Sequence, residues 1–212
     1  MQGKLIIISS PSGGGKGTLI REVRACLPDL GFSVSHTTRG QRFGEEDGRE
    51  YFFTDKDEFE RMIAAGEFLE YAEVHGNLYG TSLEESRKVA KSGKDLIVEI
   101  DVQGALQILE KLPGDCVSIF ILPPSFDVLE ARLTARGTEG DAELRTRLKN
   151  AFNEVLQYSK FQYVVINEDL PAATRQIVSI ICAERQCRDR QEAAIKGILD
   201  SFDASKHRFN GD

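Results

Sequence analysis

Ser9-Ser10-Pro11-Ser12-Gly13-Gly14-Gly15-Lys16-Gly17-Thr18 follows directly on the apolar run Leu5-Ile6-Ile7-Ile8 and leads into the periodic segment Leu19-Ile20-x-x-Val23. A short β-branched run that empties into glycines and a lysine ahead of a helical period reads as strand, phosphate-binding loop and helix. Three successive glycines can take backbone angles that other residues avoid, so their N–H groups can converge on one anion. The following helix points its positive end at the same place, and Lys16 adds a full charge at the β/γ-phosphate position. A bare strand-to-helix turn with Lys16 in solvent is the bland alternative, but such a turn rarely needs three glycines and a lysine. The stretch therefore predicts a nucleoside triphosphate site.

The loop departs twice from the strict spacing G-x-x-x-x-G-K-[ST]. Ser10 stands at the first glycine, and Gly17 stands where a Ser or Thr belongs. Two ways of holding Mg²⁺ stay open: through the hydroxyl of Thr18, or through waters.

With 212 residues, 41% apolar and 29% charged, the chain suits one soluble α/β-sized domain with inserted parts. A net charge of −7 argues against a nucleic-acid surface, which needs a broad basic face. Arginines are nonetheless gathered locally, with Arg39, Arg42 and Arg49 in one stretch and Arg132, Arg136, Arg145 and Arg147 in another. Cys26, Cys116, Cys182 and Cys187 form no C-x-x-C pair and the histidines are scattered, so neither a zinc site nor a disulfide framework is expected. No stretch has membrane-spanning length and no signal peptide is visible, which predicts a cytoplasmic protein without membrane partners. No heptad seam or apolar patch decides whether it forms a homo-oligomer.

Strand-like runs at 4–9, 96–100, 117–122 and 162–166 alternate with helical patterns at 17–27, 103–112, 125–136 and 171–186. That alternation predicts a mainly parallel sheet covered by helices. Residues 36–92 break it with a charged, glycine-punctuated segment, a strand at 51–53, a helix at 56–65 and an alternating run at 68–74. Residues 137–160 are polar, helical and arginine-bearing, as a mobile cover would be, and 187–212 reads as a helix fraying into a loose tail. Because ligands of parallel sheets bind beyond the strand carboxyl ends, the loop and Glu99-Ile100-Asp101 are expected to share a cleft. Asp101 there faces either the metal or a second substrate, or is simply a helix N-cap.

The second site is less self-evident. Arginine forks beside hydroxyls, in Ser33-Val34-Ser35-His36-Thr37-Thr38-Arg39-Gly40-Gln41-Arg42, suit phosphate oxygens. Equally, these arginines could be a solvated charge run among Glu45, Glu46 and Asp47. Glu70 lies on one face of its strand with Phe68 and Ala72.

Seven further segments carry a resemblance. They are Ser35-His36-Thr37-Thr38-Arg39, Gly48-Arg49-Glu50-Tyr51-Phe52-Phe53, Gly76-Asn77-Leu78-Tyr79-Gly80-Thr81 and Ile100-Asp101-Val102-Gln103-Gly104, then Ile121-Leu122-Pro123-Pro124-Ser125, Arg132-Leu133-x-x-Arg136-Gly137-Thr138 and Val165-Ile166-Asn167-Glu168-Asp169. In order and spacing, across about residues 4–186, the chain resembles the guanylate kinases. The resemblance implies an α/β fold: a parallel-sheet P-loop kinase core over 1–35, 93–126 and 161–190, an inserted mixed α+β GMP-binding subdomain over 36–92, a helical lid over 127–160 and a C-terminal extension over 191–212. It implies transfer of the γ-phosphoryl group of ATP, with Mg²⁺, to GMP or dGMP.

By the same resemblance, guanine recognition falls on Ser35, Glu70, Thr81 and Asp101, and the GMP phosphate on Arg39, Arg42, Tyr51 and Tyr79. ATP falls on Pro11, Ser12, Gly13, Gly14, Gly15, Lys16, Gly17, Thr18 and Asn167, with Thr18 the candidate metal contact. Lys16, Arg132, Arg136 and Arg147 are the implied catalytic cations. The chemistry agrees, since guanine N1–H and its 2-amino group are adjacent donors that one carboxylate accepts together. Leu78 replaces a frequent aromatic, and Gly17 is closer to adenylate kinases. Two rivals are a catalytically inactive guanylate-kinase-like interaction module, which predicts a degraded loop, and a kinase for a phosphorylated sugar, which predicts loss of the base-reading group.

Overall fold

The computed structural model describes residues 3–74, 76–135 and 141–206. Its strands are β1 (Leu5–Ser9), β2 (Gly31–Phe32), β3 (Ser35–Thr37), β4 (Tyr51–Phe53), β5 (Phe68–Val74), β6 (Asn77–Ser82), β7 (Leu96–Glu99), β8 (Cys116–Leu122) and β9 (Tyr163–Ile166). The helices are α1 (Lys16–Cys26), α2 (Lys56–Ala64), α3 (Leu83–Lys91), α4 (Val102–Lys111), α5 (Phe126–Thr134), α6 (Asp141–Val155), α7 (Leu170–Arg185) and α8 (Glu192–Ala204).

The apolar run of β1 lies at the centre of a five-stranded sheet ordered β2-β7-β1-β8-β9, all parallel. A parallel sheet is covered on both faces, so its strands are nearly continuous hydrophobic runs rather than alternating ones. Successive side chains still part to opposite faces. Ile6, Ile8, Ile97, Ile119 and Val165 pack under α1 and α7, while Ile7, Val98, Ile100 and Phe120 pack under α4 with Leu69 and Phe161. This two-sided core fixes the carboxyl ends of β1 and β7 side by side, and the phosphate loop and residues 99–101 emerge there.

A second, four-stranded sheet is ordered β4-β3-β6-β5, with β3 antiparallel to β6 and parallel to β4. Phe59 and Met62 of α2 close one side of it against Phe68. Helix α2 begins where Asp55 accepts a hydrogen bond from Glu58 N at 2.8 Å, an N-cap that satisfies one of the first unpaired amides. Helices α5 and α6 pack through Leu129, Leu133 and Ala151.

Most predicted elements appear within two residues of their expected ends. The helix expected over 125–136 is described as Phe126–Thr134, capped by Ser125, which accepts from Val128 N at 3.2 Å. Of the helical pattern of 137–160, positions 137–140 lie outside the described residues, and the rest appears as α6 followed by a 3₁₀ turn over Leu156–Lys160. Beyond α7, a 3₁₀ turn at Arg188–Gln191 leads into α8, an ordered helix where a fraying one was expected, and positions 207–212 of that expectation lie outside the described residues. β2, β3, β6 and α3 were not anticipated.

The C-terminal part is tied back through Asp95, which is 3% exposed. Its carboxylate accepts from Lys4 N at 2.9 Å, from Arg185 Nε at 2.8 Å and from Arg190 Nη2 at 2.6 Å. Burial alone would raise its pKa, but these three donors hold it below the ordinary carboxylate value. Asp95→Ala leaves Arg190 without its carboxylate and Arg185 with Asp29 alone, and breaking a buried pair in this way costs about 3–5 kcal/mol. Guanidinium unfolding at neutral pH is expected to show that loss. Because the folded carboxyl titrates below its unfolded value, the contribution is present above the ordinary carboxylate range and disappears as pH falls below it.

Candidate functional site

Gly15, at φ 88°, precedes α1 in the left-handed region, and no side chain caps the helix. The first amides of α1 are therefore left for an external acceptor, as an anion-binding helix start requires. Pro11, Gly13 and Gly14 are buried, while Ser12, Gly15 and Lys16 are half-buried and Gly17 and Thr18 exposed. Lys16 Nζ donates to the carbonyl oxygen of Ile100, so the lysine spans from the loop to the end of β7.

Asn167, placed by the turn after β9, donates from Nδ2 to Gly14 O at 2.9 Å. Arg132 of α5 donates from Nη2 to Asn167 O at 2.9 Å, and its Nη1 is buried without a hydrogen-bond partner. A side chain at Gly15 would overlap the Asn167 amide, so the loop, Asn167 and Arg132 form one packed unit. Arg147 lies half-buried on α6. Arg136 lies outside the described residues.

Across the cleft, three residues stand in a row on neighbouring strands. Glu70 of β5 pairs in register with Thr81 of β6, and the β3–β6 register that sets His36 against Gly80 carries Ser35 to the Thr81 level. All three are buried, at 3%, 0% and 8% exposure for Glu70, Thr81 and Ser35. The Thr81 hydroxyl donates to Glu70 Oε1 at 2.6 Å. A Cβ at Gly104, in the first turn of α4, would overlap the same carboxylate, so the bare backbone there makes room for it. Asp101 caps α4 by accepting from Gly104 N at 3.0 Å, and its charge also acts on Glu70. The N-cap reading of Asp101 therefore holds and coexists with a place beside the cleft.

Burial pushes the Glu70 carboxyl up to about 7; the Thr81 hydrogen bond opposes this, Asp101 adds to it and Lys111 opposes it. A carboxylate that must accept two donors from a ligand has to be ionised first. Affinity for such a ligand is thus expected to rise with pH until about 7 and then level off. Isothermal titration between pH 5.5 and 8.5 checks this, and Glu70→Gln is expected to abolish that part of the slope.

A second cluster sits alongside. Arg39 forks onto Glu45, with Nη2 donating at 2.8 and 3.0 Å to the two carboxylate oxygens. Its guanidinium carbon lies 5.3 Å from the centre of the Tyr51 ring, and the Tyr51 and Tyr79 rings are 5.8 Å apart. Burial works against the charge, but Glu45 and Tyr79 hold Arg39 above its ordinary pKa. Burial, with the charge of Glu99 and the neighbouring Tyr79, pushes the Tyr51 hydroxyl up to about 12, so it stays a neutral donor. Arg42 is exposed; its backbone N–H donates to Glu45 Oε2 at 2.8 Å and its carbonyl accepts from Glu45 N at 3.1 Å. Arg49 pairs with Glu46 and Glu50 in solvent, as a charge run would.

Three contributors escaped the sequence reading. Glu45 enters the sequence reading only within the alternative of a solvated charge run, although its spacing from Arg39 within one loop is a usable signal. Gly104 was quoted without its packing role. Glu154 of α6 accepts from Ser12 N at 2.9 Å, tying α6 to the phosphate loop across 142 residues, and no local pattern announces such a contact.

The guanylate kinase family model matches residues 2–184. A guanylate kinase of Neisseria meningitidis is 48% identical over 200 residues, covering 94% of this chain and 97% of the relative. One from Aliivibrio fischeri is 46% identical over 203 residues, covering 95% and 98%. The crystal structure of guanylate kinase from Anaplasma phagocytophilum is 34% identical, covers 89% of each chain and superposes with a TM-score of 0.74. With the family model spanning most of its length, this chain belongs to the guanylate kinase family.

Proposed function

We propose that this protein transfers the γ-phosphoryl group of ATP to GMP, giving ADP and GDP. The observation that carries the reading is the buried Glu70–Thr81 pair with Ser35 in line, an acceptor-only carboxylate set among hydroxyls at the edge of the cleft. Glu70 accepts guanine N1–H and one proton of the 2-amino group. With Glu70 ionised, the single proton of Thr81 is committed to it, so Ser35 is the hydroxyl left to donate to guanine O6. Adenine reverses this polarity and would leave buried groups unpaired, a mismatch that discriminates by about 10⁴–10⁵. Asp101, beside Glu70, completes the polar wall.

Arg39, Tyr51 and Tyr79 receive the GMP phosphate, with Glu45 holding the Arg39 fork in position and Arg42 reaching in from the exposed loop. The amides from Gly13 to Thr18 and Lys16 hold the ATP phosphates, and Asn167 forms the adenine-side wall. Arg132, already packed on the loop with one buried nitrogen unpaired, supplies charge to the transferring group together with Arg136 and Arg147. Phosphoryl transfer needs alignment and charge compensation more than covalent chemistry, and the attacking phosphate oxygen is already ionised, so no general base is required.

Members of this family use a divalent metal with ATP. Among the described residues no three His, Cys, Asp or Glu side chains gather into a metal cage, and Mg²⁺ is ordinarily carried on substrate phosphates with few protein ligands. When bound, that ion neutralises charge on the β- and γ-oxygens. No described helix is long and apolar enough to cross a membrane, and we place the activity in the cytoplasm. An ADP-release assay offering GMP, AMP and ribose 5-phosphate side by side tests the reading. A rate with GMP alone is expected. A preference for the sugar phosphate, or no rate with any acceptor, contradicts it.

A further inference from the structure

Helix α4 runs along the outer edge of β5, the last strand of the second sheet. Backbone groups on such an edge, turned away from the sheet, have no neighbouring strand to pair with. The Gln107 side chain takes that neighbour's place. Its Nε2 donates to Tyr71 O at 2.7 Å, and its Oε1 accepts from Tyr71 N at 3.4 Å. One turn further along α4, Lys111 Nζ donates to Leu69 O at 2.7 Å. One turn earlier stands Gly104, whose missing side chain leaves space for the Glu70 carboxylate. Positions 104, 107 and 111 follow the three- and four-residue spacing that places side chains on one helix face. That face meets Leu69, Glu70 and Tyr71, with Glu70 held between the two backbone contacts. The hold falls where β5 needs it, because the β5–β6 register shifts between Phe68 and Glu70. Such an irregularity interrupts the ladder and re-aims a side chain.

We propose that Gln107 and Lys111 are positioning residues for base selection: by pairing with the backbone on either side of Glu70, they aim its carboxylate so that guanine N1–H and the 2-amino group are accepted together. This inference rests on the guanine-reading role of Glu70 and deepens it. The Thr81 hydroxyl fixes one carboxylate oxygen from the β6 side, and α4 fixes the strand from the other. Lys111 also adds a positive charge that favours ionised Glu70 against burial and Asp101. Gln107 carries no charge, so its effect is positional alone. Helix α4 begins just after Ile100, whose carbonyl receives Lys16 Nζ. One helix therefore sets the base-reading strand relative to the phosphate loop.

The test compares GMP with inosine monophosphate on the full chain at saturating ATP. The inosine nucleotide lacks the 2-amino group and offers Glu70 one donor instead of two. The parent is expected to favour GMP in kcat/KM by about 10–10²-fold, the value of one hydrogen bond to a charged acceptor. Gln107→Leu is expected to lower kcat/KM for GMP by about tenfold or more, through KM, with kcat within about threefold. The loss is expected to be smaller for the inosine nucleotide, so that the preference for GMP narrows by about threefold or more. A preference within about twofold of the parent's overturns the proposal, because a loss that strikes both acceptors equally is a general loosening of the fold. A loss confined to kcat overturns it too. Where Gln107→Leu does not melt cooperatively, Lys111 decides: a narrowed preference in Lys111→Met that Lys111→Arg restores supports the proposal, and a parental preference in Lys111→Met overturns it. A parent protein that uses both acceptors equally overturns the Glu70 assignment itself, a result distinct from the others.

Discussion

Lys16→Met is expected to lower kcat for ATP and GMP by about 10³-fold, with the fold intact. The estimate follows from removing a full charge that acts on the transferring group, where single donors or cations contribute about 10²–10⁵ in rate. Among the described residues the lysine side chain makes one hydrogen bond, to the Ile100 carbonyl, so its loss has little to destabilise. Methionine keeps the length and most of the apolar stem. Steady-state kinetics with a melting curve separates the two effects: a collapsed kcat with a melting temperature within about 2 °C of the parent is the expected pair, equivalent to about 0.5–1 kcal/mol at most for a chain of this size. Turnover within tenfold of the parent would remove Lys16 from the mechanism and, with it, the phosphate-loop account of the first strand–helix junction.

Glu70→Gln is expected to be the other large effect. Two hydrogen bonds from guanine to a charged acceptor are each valued at about 1.5–3 kcal/mol, so kcat/KM for GMP is expected to fall by about 10²–10⁴. The variant also carries a stability signature of opposite sign. The folded carboxyl titrates near 7, above its unfolded value of 4.5. Folding therefore favours the protonated form, and this favourable contribution, present below 4.5, is lost as pH rises through about 7. At pH 8 an ionised Glu70 is a burden on the fold, and glutamine removes it. Glu70→Gln is expected to melt at or above the parent at pH 8 while being the poorer enzyme. A structural residue would show both losses together.

The central sheet was legible because its strands carry their signal locally. β1 and β8 are buried on both faces, and continuous β-branched runs between a glycine loop and periodic helices have few other readings. The second sheet hid better. β6 contains Gly80, and glycine within a strand usually argues for a bend or a close approach. Here it is an approach: a Cβ at Gly80 would stand 2.9 Å from the Phe68 ring and 3.0 Å from Phe59. The reason for the glycine lies in residues twelve and twenty-one positions earlier, where no window along the chain can see it.

The same distinction runs through the site. Lys16 and the glycines of the loop declare themselves by spacing. Glu70, Tyr51 and Tyr79 gain meaning from the registers β5–β6 and β3–β4; the residue pattern offers Glu70 as an acceptor and the tyrosines as neutral donors, and only the resemblance gives them roles. Glu45 and Glu154 act on other site residues, Arg39 and Ser12, rather than being marked by a motif. Asp101 illustrates a false choice, since one of its oxygens caps α4 while its charge still acts on Glu70.

The central claim is that the two halves of the cleft exchange a phosphoryl group, and ATP labelled at the γ-phosphate tests it most directly. Incubated with the protein, Mg²⁺ and equimolar GMP and AMP, the label is predicted to appear in the β-phosphate of GDP, with free phosphate and labelled ADP near background. Label released chiefly as inorganic phosphate, or carried to AMP as readily as to GMP, would contradict the account.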